Sequence, residues 1–301
     1  MTEPYDWMVK YTPQAEWIER RGIMLWLAFF FIELGAGTFF VSAFFGILPI
    51  MLTGWLLCAV IGGGFHLAFL GKPQRFWRIL ISSGWKTSWI SRGLFFVFLF
   101  LVLGLTHMIF SQRGNPSTAL LATANIFAFL TVIYGGFAMN YINGIPLWNS
   151  ALLPILYLIS GIWGGAEVTL GLTLAGAGAS AGLAAEEWIR LLLIGFLILI
   201  PIYLVSVRYT STTGQASVRL MVKGKWSALF WIGVVLIGMV VPLITVIISF
   251  FSGLEAIPAA VFYAAILCGL VGDLIVRYLL LRCGMYSPLI QSTALTSPMP
   301  G

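Results

Sequence analysis

The sequence predicts an all-α integral membrane protein of about eight transmembrane helices, on three observations. The 301 residues are 60% hydrophobic and 9% charged, against ~25% charged in soluble domains. The apolar runs are continuous, as in helices, whereas a barrel strand alternates. The basic residues also gather on alternate inter-helix loops. A protein of this composition needs lipid as its solvent, and in lipid a helix satisfies its own backbone hydrogen bonds.

Spans are expected at 22–48, 49–70, 93–110, 117–138, 151–175, 189–207, 226–252 and 258–276, arranged as two four-helix bundles. They leave an interfacial segment at 1–21 and a tail at 277–301, whose last part from Ser287 is expected to be mobile or pressed against a partner. Each span can cross a ~30 Å hydrocarbon core at ~1.5 Å per residue. Pro49 marks the break between the first two. Residues 1–21 mix acids, bases and aromatics without a signal-peptide layout, so the first helix is expected to be retained. An even number of spans puts both ends on one side. On that side the layout places 14 of the 16 basic residues, from Lys10, Arg20 and Arg21 through Lys72, Arg75, Arg78, Lys86 and Arg92 to Arg277 and Arg282; Arg113 and Arg190 fall opposite. The positive-inside rule makes the terminal side cytoplasmic, although a basic face could equally dock an acidic partner. The +6 formal charge is therefore read as topology and not as nucleic-acid binding.

Metal chemistry finds little support. Cys58, Cys268 and Cys283 have no CxxC spacing and no histidine neighbours, and read as small packing residues. The two histidines, His66 and His107, fall in the second and third spans at depths about ten residues apart, roughly 15 Å. Axial ligands of one haem iron must lie at nearly the same depth. Neither haem nor a metal is expected in this protein.

Three carboxylates interrupt the apolar spans: Glu33, Glu167 and Asp273. Each costs at least ~2.5–3.5 kcal/mol to insert, so each is a proton-transfer candidate, or else a neutral hydrogen-bonded acid near a helix end. The second-to-third connection is basic and aromatic, with Arg75, Phe76, Trp77, Arg78, Trp85 and Trp89. It reads as a membrane anchor, or as a rim that positions a lipid-soluble aromatic headgroup or docks a soluble subunit. Tyr134, near the end of the fourth span, is followed by Gly135 and Gly136, which would let a flat ring approach the backbone. It is either aromatic-belt material or a hydrogen-bond donor to such a ring.

Five stretches, FFFIELGAGTFF, LGKPQRFW, SWISRG, VIYGGF and IPLWNSALLPILYLISG, lie between residues 29 and 161. Through them the protein resembles the polysulfide reductase membrane subunit family, the NrfD-type quinone-interacting subunits. The resemblance implies a multi-pass subunit of a bacterial or archaeal inner membrane. It would exchange electrons between menaquinone or ubiquinone and a ferredoxin-like [4Fe–4S] partner, usually leading to a molybdopterin-type catalytic subunit. It also implies a quinone site at Tyr134, with His66, Glu33, Gly135, Trp77 and Arg75 as further candidates. A histidine near the ring is a suitable proton acceptor. Two departures, at Glu33 and at His66-Leu-Ala-Phe-Leu-Gly, keep the family's proton handling from being carried over. The rival readings are a secondary transporter, with Glu33, Glu167 and Asp273 along its path, and a passive tether for a soluble enzyme.

Overall fold

The computed structural model describes residues 8, 10–81, 83–178 and 182–289. Most of the interfacial segment lies within them; residues 1–7 and the tail beyond 289 lie outside. Among the described residues, eight helices are long and apolar enough to cross a membrane: α1 Gly22–Phe45, α2 Leu48–Phe69, α3 Trp89–Gln112, α4 Thr118–Asn140, α5 Leu152–Leu174, α6 Gly182–Thr210, α7 Leu229–Ser252 and α8 Ala259–Arg282. Two of their ends differ usefully from the sequence expectation. Helix α6 begins at Gly182 and so takes in Glu186, one turn before Arg190, while α8 runs on to Arg282 and so takes in Arg277. Both extensions complete an acid–base pair four residues apart on one face, which supports a helix. A further helix, Thr212–Val222, occupies the loop between α6 and α7.

Helix α1 sits at the centre, against α2, α4, α5 and α8, and α5 in turn packs on α4, α6 and α8. The two halves of the protein thus share one continuous seam. Glycine makes that seam possible. A Cβ at Gly35 would meet the Gly54 carbonyl of α2 at 2.6 Å, and one at Gly37 would collide with the Gly161 carbonyl of α5. Without a hydrophobic drive between helices in lipid, such close backbone approach is how they associate. In α2 the turn Leu57–Gly62 widens to a π-helix, and its small residues Cys58, Ala59 and Gly62 face α1 or the space beside it.

The two ends of the described region meet. Strand β1 (Thr12–Pro13) pairs antiparallel with β2 (Met285–Tyr286), placing Thr12 opposite Tyr286. The buried Gln14 fastens the join: its backbone N–H donates to the Gly284 carbonyl at 2.8 Å and its Nε2 to the Leu281 carbonyl at 2.7 Å. Glu19 pairs with Arg282. Trp148, in the α4–α5 loop, donates from Nε1 to the Leu280 carbonyl at 2.7 Å. Gln14→Ala leaves the buried Leu281 carbonyl unpaired, a cost of about 1–3 kcal/mol. Hydrogen–deuterium exchange should therefore rise across residues 12–20 and 283–287 and stay unchanged in α5; unchanged exchange at the join would refute this role for Gln14.

Candidate functional site

The largest described cavity, about 590 Å³, lies in the terminal-side half of α1–α4. That is within the range of small-molecule sites, ~300–1,000 Å³. Its described lining is apolar apart from His66 near the end of α2, Tyr134 in α4 and the indole N–H of Trp17. The Phe29 ring of α1 stands between the first two. Its centroid is 6.5 Å from the His66 ring and 6.4 Å from that of Tyr134. The Tyr134 hydroxyl has no hydrogen-bond partner among the described residues, and neither has His66 Nδ1. Trp17, held in place by its backbone hydrogen bond to Gln14 Oε1, forms part of the terminal-side wall. Leu67, Ile90 and Phe98 line the cavity and are 39%, 50% and 48% exposed, and the last part of α2, from Leu57 to Phe69, makes little contact with α3. The cavity therefore opens sideways between α2 and α3, toward the position of lipid.

Tyr134 is fixed by neighbours that the sequence motifs supply. Ser88 caps α3 by accepting from the Ser91 N–H. Arg92 lies 4.8 Å over the Trp89 ring and donates to the Trp85 and Lys86 carbonyls at 2.9 and 2.5 Å. Trp89 stacks on Phe137 of α4 at 4.4 Å and 9°. Gly93 then lies flat against the Tyr134 ring, where any Cβ would overlap ring carbons. The segment SWISRG is thus a cradle for the tyrosine one helix away.

Other expected site residues lie elsewhere. Gly135 faces away from the cavity, since one helical residue turns the side-chain direction by about 100°. The space a Cβ would take there is filled by Glu33 Oε1 and Tyr157. Gly136 faces Pro154 of α5. Arg75 and Trp77 point outward, Trp77 with Arg78 5.6 Å above its ring, whereas Phe76 and Ile79 line the cavity. Residues three apart share a helical face, and here the inward face starts at Phe76.

Glu33 is fully buried beside the cavity wall and not in it. It pairs with Arg277 of α8 at 2.6 Å, and Arg277 also pairs with Asp273 and donates to Ser160 Oγ at 3.1 Å. The Arg277 guanidinium lies 5.7 Å from the Phe30 ring and 5.2 Å from that of Tyr157. Sequence reasoning counted Arg277 among the loop cations and so missed the centre of this triad; the four-residue spacing from Asp273 was the available signal. Glu167, two turns along the same face of α5 from Ser160, lies against Gly269 of α8 within electrostatic reach of Asp273, and borders a small pocket shared with Glu186. His107, near the far end of α3, contacts Ser111 Oγ at 3.2 Å and takes no part in the cavity.

The family described as "Polysulphide reductase, NrfD" matches residues 20–288. The chain belongs to that family. Among curated relatives, the NrfD-family protein is 26% identical over 262 residues to "Protein NrfD" of Escherichia coli strain K12, covering 75% of its own length and 79% of that relative. It is 24% identical over 210 residues to the C subunit of polysulfide reductase from Wolinella succinogenes, covering 61% and 66% respectively. A third relative, "Protein NrfD homolog" of Haemophilus influenzae, is 25% identical over 123 residues, 40% of the present sequence and 38% of the relative.

Proposed function

We propose that this NrfD-family protein is the quinone-interacting membrane subunit of an oxidoreductase complex. It would pass electrons between menaquinone or ubiquinone and a partner ferredoxin-like [4Fe–4S] subunit, which leads to a molybdopterin-type catalytic subunit. The observation that carries the reading is the cavity itself. It opens to lipid, is large enough for a flat ring and the start of its tail, and among its described lining side chains Tyr134, His66 and the Trp17 indole carry hydrogen-bonding groups. An ion or polar solute would need polar walls along its path, which these are not. The terminal side, basic and aromatic over residues 72–92, is the face we assign to the partner, and the same charges orient it to the cytoplasm.

In this reading the Tyr134 hydroxyl donates to one carbonyl of the ring, and His66 exchanges a proton with the other. Each quinol oxidised releases two electrons and two protons, so proton acceptors must lie close by. Glu33 supplies the next one. The triad holds two carboxylates against one guanidinium, and a net buried charge is costly in a membrane. A shared proton removes it, and Glu33 Oε1, free of partners and abutting Gly135 next to Tyr134, is the site we assign to that proton. Asp273 then holds Arg277 in place.

Tyr134→Phe keeps the ring in its cradle and removes one hydrogen bond, worth about 0.5–1.5 kcal/mol. Quinone affinity in the assembled complex should fall up to about tenfold, read as a raised KM for a short-chain quinol. Unchanged KM and turnover would take Tyr134 out of the site.

A further inference from the structure

A second polar site lies away from the cavity, among α5–α8. Glu167 of α5, Glu186 of α6 and Thr245 of α7 line a pocket of about 20 Å³ that is otherwise apolar. The two carboxylates are only 2% and 3% exposed. Each has an oxygen with no partner among the described residues, Oε2 of Glu167 and Oε1 of Glu186. The other Glu186 oxygen is paired with Arg190 at 2.5 Å. Thr245 donates its hydroxyl proton to the Val241 carbonyl at 3.2 Å, which turns lone pairs of its oxygen outward.

We propose that this pocket binds one sodium-sized monovalent cation, held by Glu167, Glu186 and Thr245. Three features point to that ligand. The donors are all oxygen, the set preferred by hard cations. Glu167 and Glu186 against Arg190 leave a single negative charge, since Asp273, the other acid that acts on Glu167, is itself paired with Arg277; one monovalent cation neutralises that charge in a place where net charge is expensive. The volume admits one water-sized occupant, for which ~10–15 Å³ suffices. A magnesium ion would bring several waters and a calcium ion would need six to eight oxygens, and the pocket accommodates neither. Gly269 keeps the site in shape, because a Cβ there would collide with Glu167 Oε1. Arg190, a quarter exposed, is 4.9 Å from the Phe250 ring.

The test is thermal melting of the native complex in detergent, in sodium, potassium or choline chloride at constant ionic strength. Sodium should raise the melting temperature saturably, by roughly 5–10 °C at a hundredfold excess over Kd, and potassium and choline should leave it low. Thr245→Val, which keeps both carboxylates, should raise the apparent sodium Kd by roughly tenfold. Glu167→Gln should abolish the sodium response, and a cooperative melt in choline chloride at the wild-type temperature will show that this variant is folded. A wild-type melt indifferent to the choice of salt overturns the proposal, because the carboxylates then hold protons. A potassium response equal to that of sodium overturns it as well. None of these readouts depends on whether the larger cavity binds quinone.

Discussion

Arg277→Met should be the most damaging single substitution in the membrane domain. It leaves Glu33 and Asp273 facing each other across a dry interior, and breaking a buried pair in this way costs about 3–5 kcal/mol. At ~2–4 °C per kcal/mol for a protein of this size, the melting temperature should fall by roughly 10 °C. The amount of assembled complex in the membrane should fall with it. The triple variant Glu33→Gln/Asp273→Asn/Arg277→Met removes the charges together and should recover most of the loss, since replacing a whole buried ionic group by neutral side chains is often tolerated. The contacts of the guanidinium with Phe30 and Tyr157 are also lost in the triple variant, so recovery should be incomplete. A single variant that melts with the wild type would mean that the triad does not hold α1 to α8.

Gly93→Ala should have the next largest effect, and it acts on function before stability. The added methyl competes directly with the Tyr134 ring. The ring has somewhere to go, because the cavity lies on its other side, so the fold should survive with little change in melting. The hydroxyl, however, moves by about 1 Å, and displacement on that scale costs up to ~10²-fold in rate. Quinol-linked turnover is therefore expected to drop ten- to a hundredfold, a larger loss than Tyr134→Phe produces. Combining the two changes should cost no more than Gly93→Ala alone, because both act through one side chain. Additive losses would show that Gly93 serves something other than the tyrosine.

Much of this architecture was legible in the sequence because lipid imposes simple rules. A continuous apolar run of about 20 residues has few alternatives to a helix, and the loop cations then fix which ends share a side. Tyr134 and His66 could be placed in one half of the first four helices by depth alone, and the cavity contains both. Rotation about each helix was less legible. Near-uniform hydrophobicity carries no amphipathic stripe, so the outward turn of Trp77 and the inward turn of Phe76 could not be told apart, nor could the true neighbours of Gly135. Arg277 and Glu186 escaped notice because a charge near an expected boundary reads as loop. In each case the helix continues because a partner four residues along compensates the charge. The meeting of β1 and β2 was hidden for a different reason: two-residue strands have no pattern to read.

The pairing of α1 with α8 also sets an order of events. Glu33 enters the bilayer with α1, and its counter-ion arrives only with α8, seven spans later. Until then the nascent protein holds an unsatisfied acid at its centre, and the strap through Gln14 has nothing to fasten to. Completion of the eighth helix therefore closes the molecule electrostatically and mechanically in a single step, and a polypeptide interrupted before that point would present its unpaired carboxylate to the machinery that removes faulty membrane proteins.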